Sequence, residues 1–161
     1  MQILLRRRNL APSYVPPISV ALARDKDRYI AGLTAFRDGD LHRWLEQFAV
    51  AAAQAAGLAE HYLHNTRSLQ DHWRRQLCSA GRPPRVDASA WTVIDLLPGY
   101  PIVTVPVLTA VTGRSTPAIG QAVDQLVRAE VLVPLSEGPR NRSWEAADLL
   151  DLLAGLETTA G

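Results

Sequence analysis

Apolar residues recur along most of this chain at steps of three and four, the spacing that puts them on one side of a helix. From Leu41 to about Leu77 the pattern is unbroken except at Gly57, with Leu41, Leu45, Phe48, Ala52, Ala55, Ala59, Tyr62, Thr66, Leu69 and Trp73 forming a lengthwise seam. Ahead of it, Asp25 can cap a helix to about Arg37 whose inner face carries Tyr29, Ile30, Leu33 and Phe36, and Asp38-Gly39-Asp40 ends that helix. Ile18–Arg24 reads as a short apolar helical turn, and Met1–Arg8 as the tail of a helix that lacks a capped start. Pro12, Pro16 and Pro17 impose an extended connection between them. Gly81-Arg82-Pro83-Pro84 ends the long pattern and reads as a linker.

After this linker the spacing changes. Ala88–Leu97 predicts a helix with Trp91, Ile94 and Leu97 inward, and Ile102-Val103 a short strand. Thr104 then caps a helix that begins Val105-Pro106 and carries Val107, Leu108 and Val111, because its hydroxyl can accept from an amide that has no helical partner. Thr112-Gly113-Arg114-Ser115 breaks that helix, with Gly113 free to turn left-handed. Thr116-Pro117 starts the next, where Ile119, Val123, Leu126 and Val127 line one side and Gln121, Asp124, Gln125 and Arg128 the other. Val131–Leu135 is a β-branched run, Ser136-Glu137-Gly138-Pro139 a turn, and Arg140–Glu145 a returning strand. Helix, turn, helix and two-stranded wing is winged-helix order. The expected fold is therefore mainly α: a helical bundle segment over 1–82, then a winged helix-turn-helix domain over 88–161 with a small β wing.

Composition narrows the class. Hydrophobic residues make up 47% of 161, enough for a buried core. The lone Cys78 excludes an internal disulfide, and no apolar run approaches the roughly 20 residues of a membrane span, so a cytoplasmic protein is expected. The net charge of +1 conceals an asymmetry: residues 1–87 hold 13 Lys/Arg against 8 Asp/Glu, and residues 88–161 hold 4 Arg against 8 Asp/Glu. The winged half is thus acidic, which opposes strong nonspecific DNA binding. Its four arginines nonetheless fall where a winged helix meets a nucleic-acid backbone. Arg114, Arg128, Arg140 and Arg142 are the candidates for phosphates, with Ser115, Thr116 and Asn141 beside them, and Gln121 and Gln125 those for base edges of double-stranded DNA.

Other residues favour plainer roles. His61 and His64 lie one turn apart, but His72 is some 16 Å along the axis from His61, so no metal ion is expected. Arg6-Arg7-Arg8 suits a solvated helix end, where cations offset the dipole. Trp73, Trp91 and Trp144 suit packing better than base stacking. The alanine-rich middle of the long seam suits an intramolecular bundle first and a homodimer through the 41–77 helix second.

Leu4-Leu5-Arg6-Arg7-Arg8-Asn9-Leu10, Pro16-Pro17-Ile18-Ser19, Asp27-Arg28-Tyr29-Ile30-Ala31-Gly32-Leu33, Gly39-Asp40, Trp44 and Phe48 together resemble the segment that follows the catalytic loop in bacterial Fic (filamentation-induced-by-cAMP) proteins, many of which end in a winged helix. The resemblance covers nearly the whole chain through loose motifs. It implies descent from protein adenylyltransferases, whose His-Pro-Phe-x-x-Gly-Asn-Gly-Arg loop deprotonates the target hydroxyl and anchors the phosphates in AMPylation. No stretch here matches that loop, and none of His42, His61, His64 and His72 is followed by proline. The expectation is a C-terminal piece of a Fic protein with no catalytic residues and no cofactor. Three functions follow: a regulatory DNA-binding module; a module that presents a protein target or binds an antitoxin-like partner for a nucleotidyltransferase whose loop lies upstream; or a remnant of the enzyme core.

Overall fold

The computed structural model describes residues 18–81, 83–135 and 142–158. The expected Met1–Arg8 helix, the Arg6–Arg8 run, the Ser136–Pro139 turn, and Arg140 and Asn141 lie outside them. The described elements are helices α1 (Ile18–Ala23), α2 (Lys26–Arg37), α3 (Leu41–Ser79) and α4 (Ser89–Leu96), a 3-10 turn (Leu97–Gly99), strand β1 (Ile102–Thr104), helices α5 (Val105–Thr112) and α6 (Thr116–Arg128), strands β2 (Val133–Pro134) and β3 (Ser143–Glu145), and helix α7 (Ala147–Thr158). The fold is mainly α, a helical segment followed by a winged helix-turn-helix with a small antiparallel sheet. No helix among the described residues is long and apolar enough to cross a membrane.

The chain divides into two compact units, Asn65–Leu153 and the remainder, so the division falls within α3 and not at Gly81–Pro84, where the sequence pattern breaks. The Asn65–Leu153 unit explains why. Trp73 is fully buried and Leu77 nearly so, in one core with Val93, Ile94, Leu97, Leu108, Ile119, Leu126, Leu132 and Leu149. The Trp73 indole donates to Asp148 Oδ2 on α7 at 3.1 Å, and the Gln70 amide donates to the Ile94 carbonyl on α4 at 3.2 Å. The last turns of α3 therefore close the hydrophobic core of the winged helix.

Local chemistry sets the element ends in this unit. The Thr104 hydroxyl accepts from the Val107 amide at 3.4 Å, and Gly113 closes α5 at φ 66°. At the end of α6, Glu130 adopts φ 58°, while the Glu130 and Val131 amides donate to the Val127 and Leu126 carbonyls at 3.0 and 2.9 Å. That is a Schellman ending built on a residue with a Cβ. It turns the chain so that Val131 and Leu132 enter the core, which shortens the expected Val131–Leu135 strand to Val133–Pro134. β3 lies between β1 and β2, pairing Val103 and Pro134 with Trp144. Trp144 is buried, and Trp91 is half-buried against the core. Of the three apolar residues named for α5, Leu108 is buried in the core, whereas Val107 and Val111 are exposed.

In the first unit α1 packs on α3 through Ala21, Ala51 and Ala55, with Ile18 and Leu22 beside them. The inner face of α2 is centred on Gly32, with two of the four residues expected there, Tyr29 and Phe36, against Trp44. Gly32 is its buried residue, and a Cβ there would collide with Gln47 and come within 3.0 Å of Trp44. Because the helices meet where no side chain intervenes, the contact stripe runs through Tyr29, Gly32 and Phe36, whose rings lie 6.1 Å (Tyr29) and 6.3 Å (Phe36) from Trp44. Ile30 and Leu33 are 48% and 39% exposed and Phe36 itself 54%, so the covered part of this face is centred on Gly32 and Tyr29. The α3 seam behaves similarly: its C-terminal members are covered, whereas Leu41 and Leu45 are 51% and 54% exposed.

Candidate nucleic-acid interface

Helix α6 buries Ile119, Ala122, Val123 and Leu126 and leaves Gln121, Asp124 and Arg128 exposed. At 3.6 residues per turn these three fall within about 60° of one another, so they form a single polar ridge. Pro117 begins the ridge, its missing amide harmless in the first turn, and Ser115 stands at the N-cap. Arg114, Ser115 and Thr116 are exposed at that end, and Gln125 is half-buried on one flank.

Two open clefts border α6. One, of about 740 Å³, lies between α6 and the segment that leads into α4; its walls include Arg85, Asp87, Arg114, Gln121, Gln125 and Arg128. The other, of about 570 Å³, lies on the wing side and is lined by Thr104, Pro106, Gly120, Asp124, Arg142 and Trp144. The α6 residues in the first (Ala118, Gln121, Ala122, Gln125, Arg128) and the second (Gly120, Val123, Asp124) lie on opposite sides of the helix, so the clefts flank its exposed ridge. Among the described residues the first carries three arginines against Asp87, a net of +2, and the second pairs Arg142 with Asp124, a net of zero. The Arg142 guanidinium stands 5.0 Å from the ring centre of Trp144, which holds it at the base of the wing.

Of the residues selected from sequence, Arg114, Gln121, Gln125 and Arg128 come together on the first cleft, and Arg142 joins the second. Arg140 and Asn141 lie outside the described residues. Arg85 was missed, because Gly81–Arg85 reads as a linker with no periodicity to place it. Among the described residues no three His, Cys, Asp or Glu side chains gather as metal ligands. Comparison with protein-family models and with curated proteins returns no match.

Proposed function

We propose that this chain is a non-catalytic, Fic-like C-terminal module whose winged helix binds double-stranded DNA in a regulatory role. The observation that carries the reading is the polar ridge of α6, set between two clefts that each hold arginine. A helix of this kind enters the major groove of B-DNA, about 12 Å wide, with the backbones of the two strands along its flanks. Gln121 and Gln125 then face base edges, while Arg114, Arg128 and Arg142 meet phosphates. Asp124 beside Gln121 repels phosphate and limits affinity, so binding is weak and strongly salt-dependent.

Fluorescence-anisotropy titration against pooled random duplexes at low salt tests this. Binding at micromolar protein is expected, with Gln121→Ala altering sequence preference by about 1–3 kcal/mol and Arg142→Ala weakening all duplexes alike. No binding to any duplex at that concentration overturns the reading. It would favour instead a module that presents protein targets to an AMPylating enzyme, a reading supported by the excess of 8 Asp/Glu over 4 Arg in residues 88–161.

A further inference from the structure

Arg85 belongs by sequence to the basic first half of the chain, in a Gly-Arg-Pro-Pro-Arg stretch that separates two helical patterns. In three dimensions it forms a wall of the larger cleft along α6, opposite Gln121, Gln125 and Arg128. Its backbone is fixed: the Arg85 carbonyl accepts from the Trp91 indole at 2.9 Å and from the Ala88 amide at 2.9 Å. Trp91 packs on the core of the same unit, so the anchor reaches from the core to this residue. The segment is therefore anchored through its backbone, and it starts the Arg85 side chain from a fixed point at the cleft. Arg85, Arg114 and Arg128 are all exposed, and none forms an ion pair with a described residue. Asp87 is the one carboxylate on the same cleft among the described residues, so it offsets a single charge and leaves two for an outside anion to balance.

We propose that Arg85, Arg114 and Arg128 form a phosphate-binding wall that seats one DNA strand in the cleft between the Arg85 segment and α6. This inference rests on the DNA-binding reading above and extends it to a residue outside the winged helix as read from sequence. Counting the described residues alone, the strand on the Arg85 side meets a cleft of net charge +2, and the strand on the wing side meets Arg142 offset by Asp124. A line of phosphates fits an open cleft with arginines along both walls better than a single small anion does, because each arginine can meet a different phosphate.

The test uses the full chain, duplex DNA and a salt titration. Each phosphate contact contributes about 0.9 to the slope of log K against log salt, so losing one changes the affinity drop between 50 and 200 mM salt by roughly three- to four-fold. Arg85→Ala is expected to lower that slope by about one unit and to weaken all sequences alike, as Arg128→Ala does. Arg85→Lys should restore the slope, since a point charge still binds phosphate. Arg75→Ala, an exposed cation of the same unit outside the cleft, should leave it unchanged. If the unaltered chain binds duplex while Arg85→Ala keeps its slope, or Arg75→Ala shifts it equally, the phosphate wall is refuted and the DNA-binding reading stands. If the unaltered chain binds no duplex, both fall.

Discussion

Replacing Trp73 with alanine should strongly destabilise the winged helix, although Trp73 precedes it in sequence by a proline-rich break. Its side chain is fully buried, so truncation removes most of a large apolar surface and leaves a cavity; substitutions of this kind cost about 3–5 kcal/mol. The hydrogen bond to Asp148 adds about 1 kcal/mol to what is lost, a modest share because the freed carboxylate is exposed and rehydrates. Against a typical stability of about 5–15 kcal/mol, the loss is a large fraction of the total. Urea denaturation followed by far-UV circular dichroism measures it, with Phe36→Ala as a comparison, since Phe36 is 54% exposed and its removal should cost about 1 kcal/mol or less. Trp73→Phe keeps the ring in the core and loses the donor, so it should cost about 1–2 kcal/mol. In a double-mutant cycle its coupling to Asp148→Ala should be about 0.5–1.5 kcal/mol. A fragment beginning at Asn65 should fold cooperatively, and one beginning at Ala88 should not. If Trp73→Ala shifts stability by less than about 1 kcal/mol, or the Ala88 fragment unfolds with the same midpoint as the Asn65 fragment, the shared core is refuted.

Glu130→Gly should stabilise the chain by about 0.5–1 kcal/mol, because glycine takes the left-handed conformation at φ 58° without steric cost; thermal denaturation showing a lower midpoint would contradict this. Two glycines should respond with opposite signs in the same assay. Gly57→Ala, with open space around the new methyl, should stabilise α3 by about 0.5–1 kcal/mol, whereas Gly32→Ala should cost about 1–3 kcal/mol because Gln47 and Trp44 must move. Radiolabel transfer from ATP should remain at the no-protein level, since no His-Pro-Phe-x-x-Gly-Asn-Gly-Arg loop occurs in the chain to supply base and phosphate cradle. Labelling that a histidine substitution abolishes would defeat the non-catalytic reading.

The sequence by itself determined what depends on near neighbours. The Thr104 cap, the left-handed Gly113, the apolar side of α6 and the order of helix, turn, helix and wing all follow from residues a few positions apart, and the structure shows them as expected. That Arg114, Gln121, Gln125 and Arg128 share one surface was legible for the same reason, since one helix and its preceding turn carry them. Periodicity shows which side of a helix is apolar; it does not say what covers that side. The seam of α3 was therefore visible as one stripe, yet only tertiary packing joined Trp73 and Leu77 to the winged-helix core and left Leu41 and Leu45 exposed. On α2 likewise, only packing showed that the helix meets Gln47 and Trp44 at Gly32 and leaves Ile30 and Leu33 exposed. Charge counted by halves placed the cations away from α6, because such a count treats sequence distance as spatial distance. Folding brought Arg85 across the proline-rich break to the cleft beside Gln121, where the charge that acts on a ligand is set by which side chains share the surface.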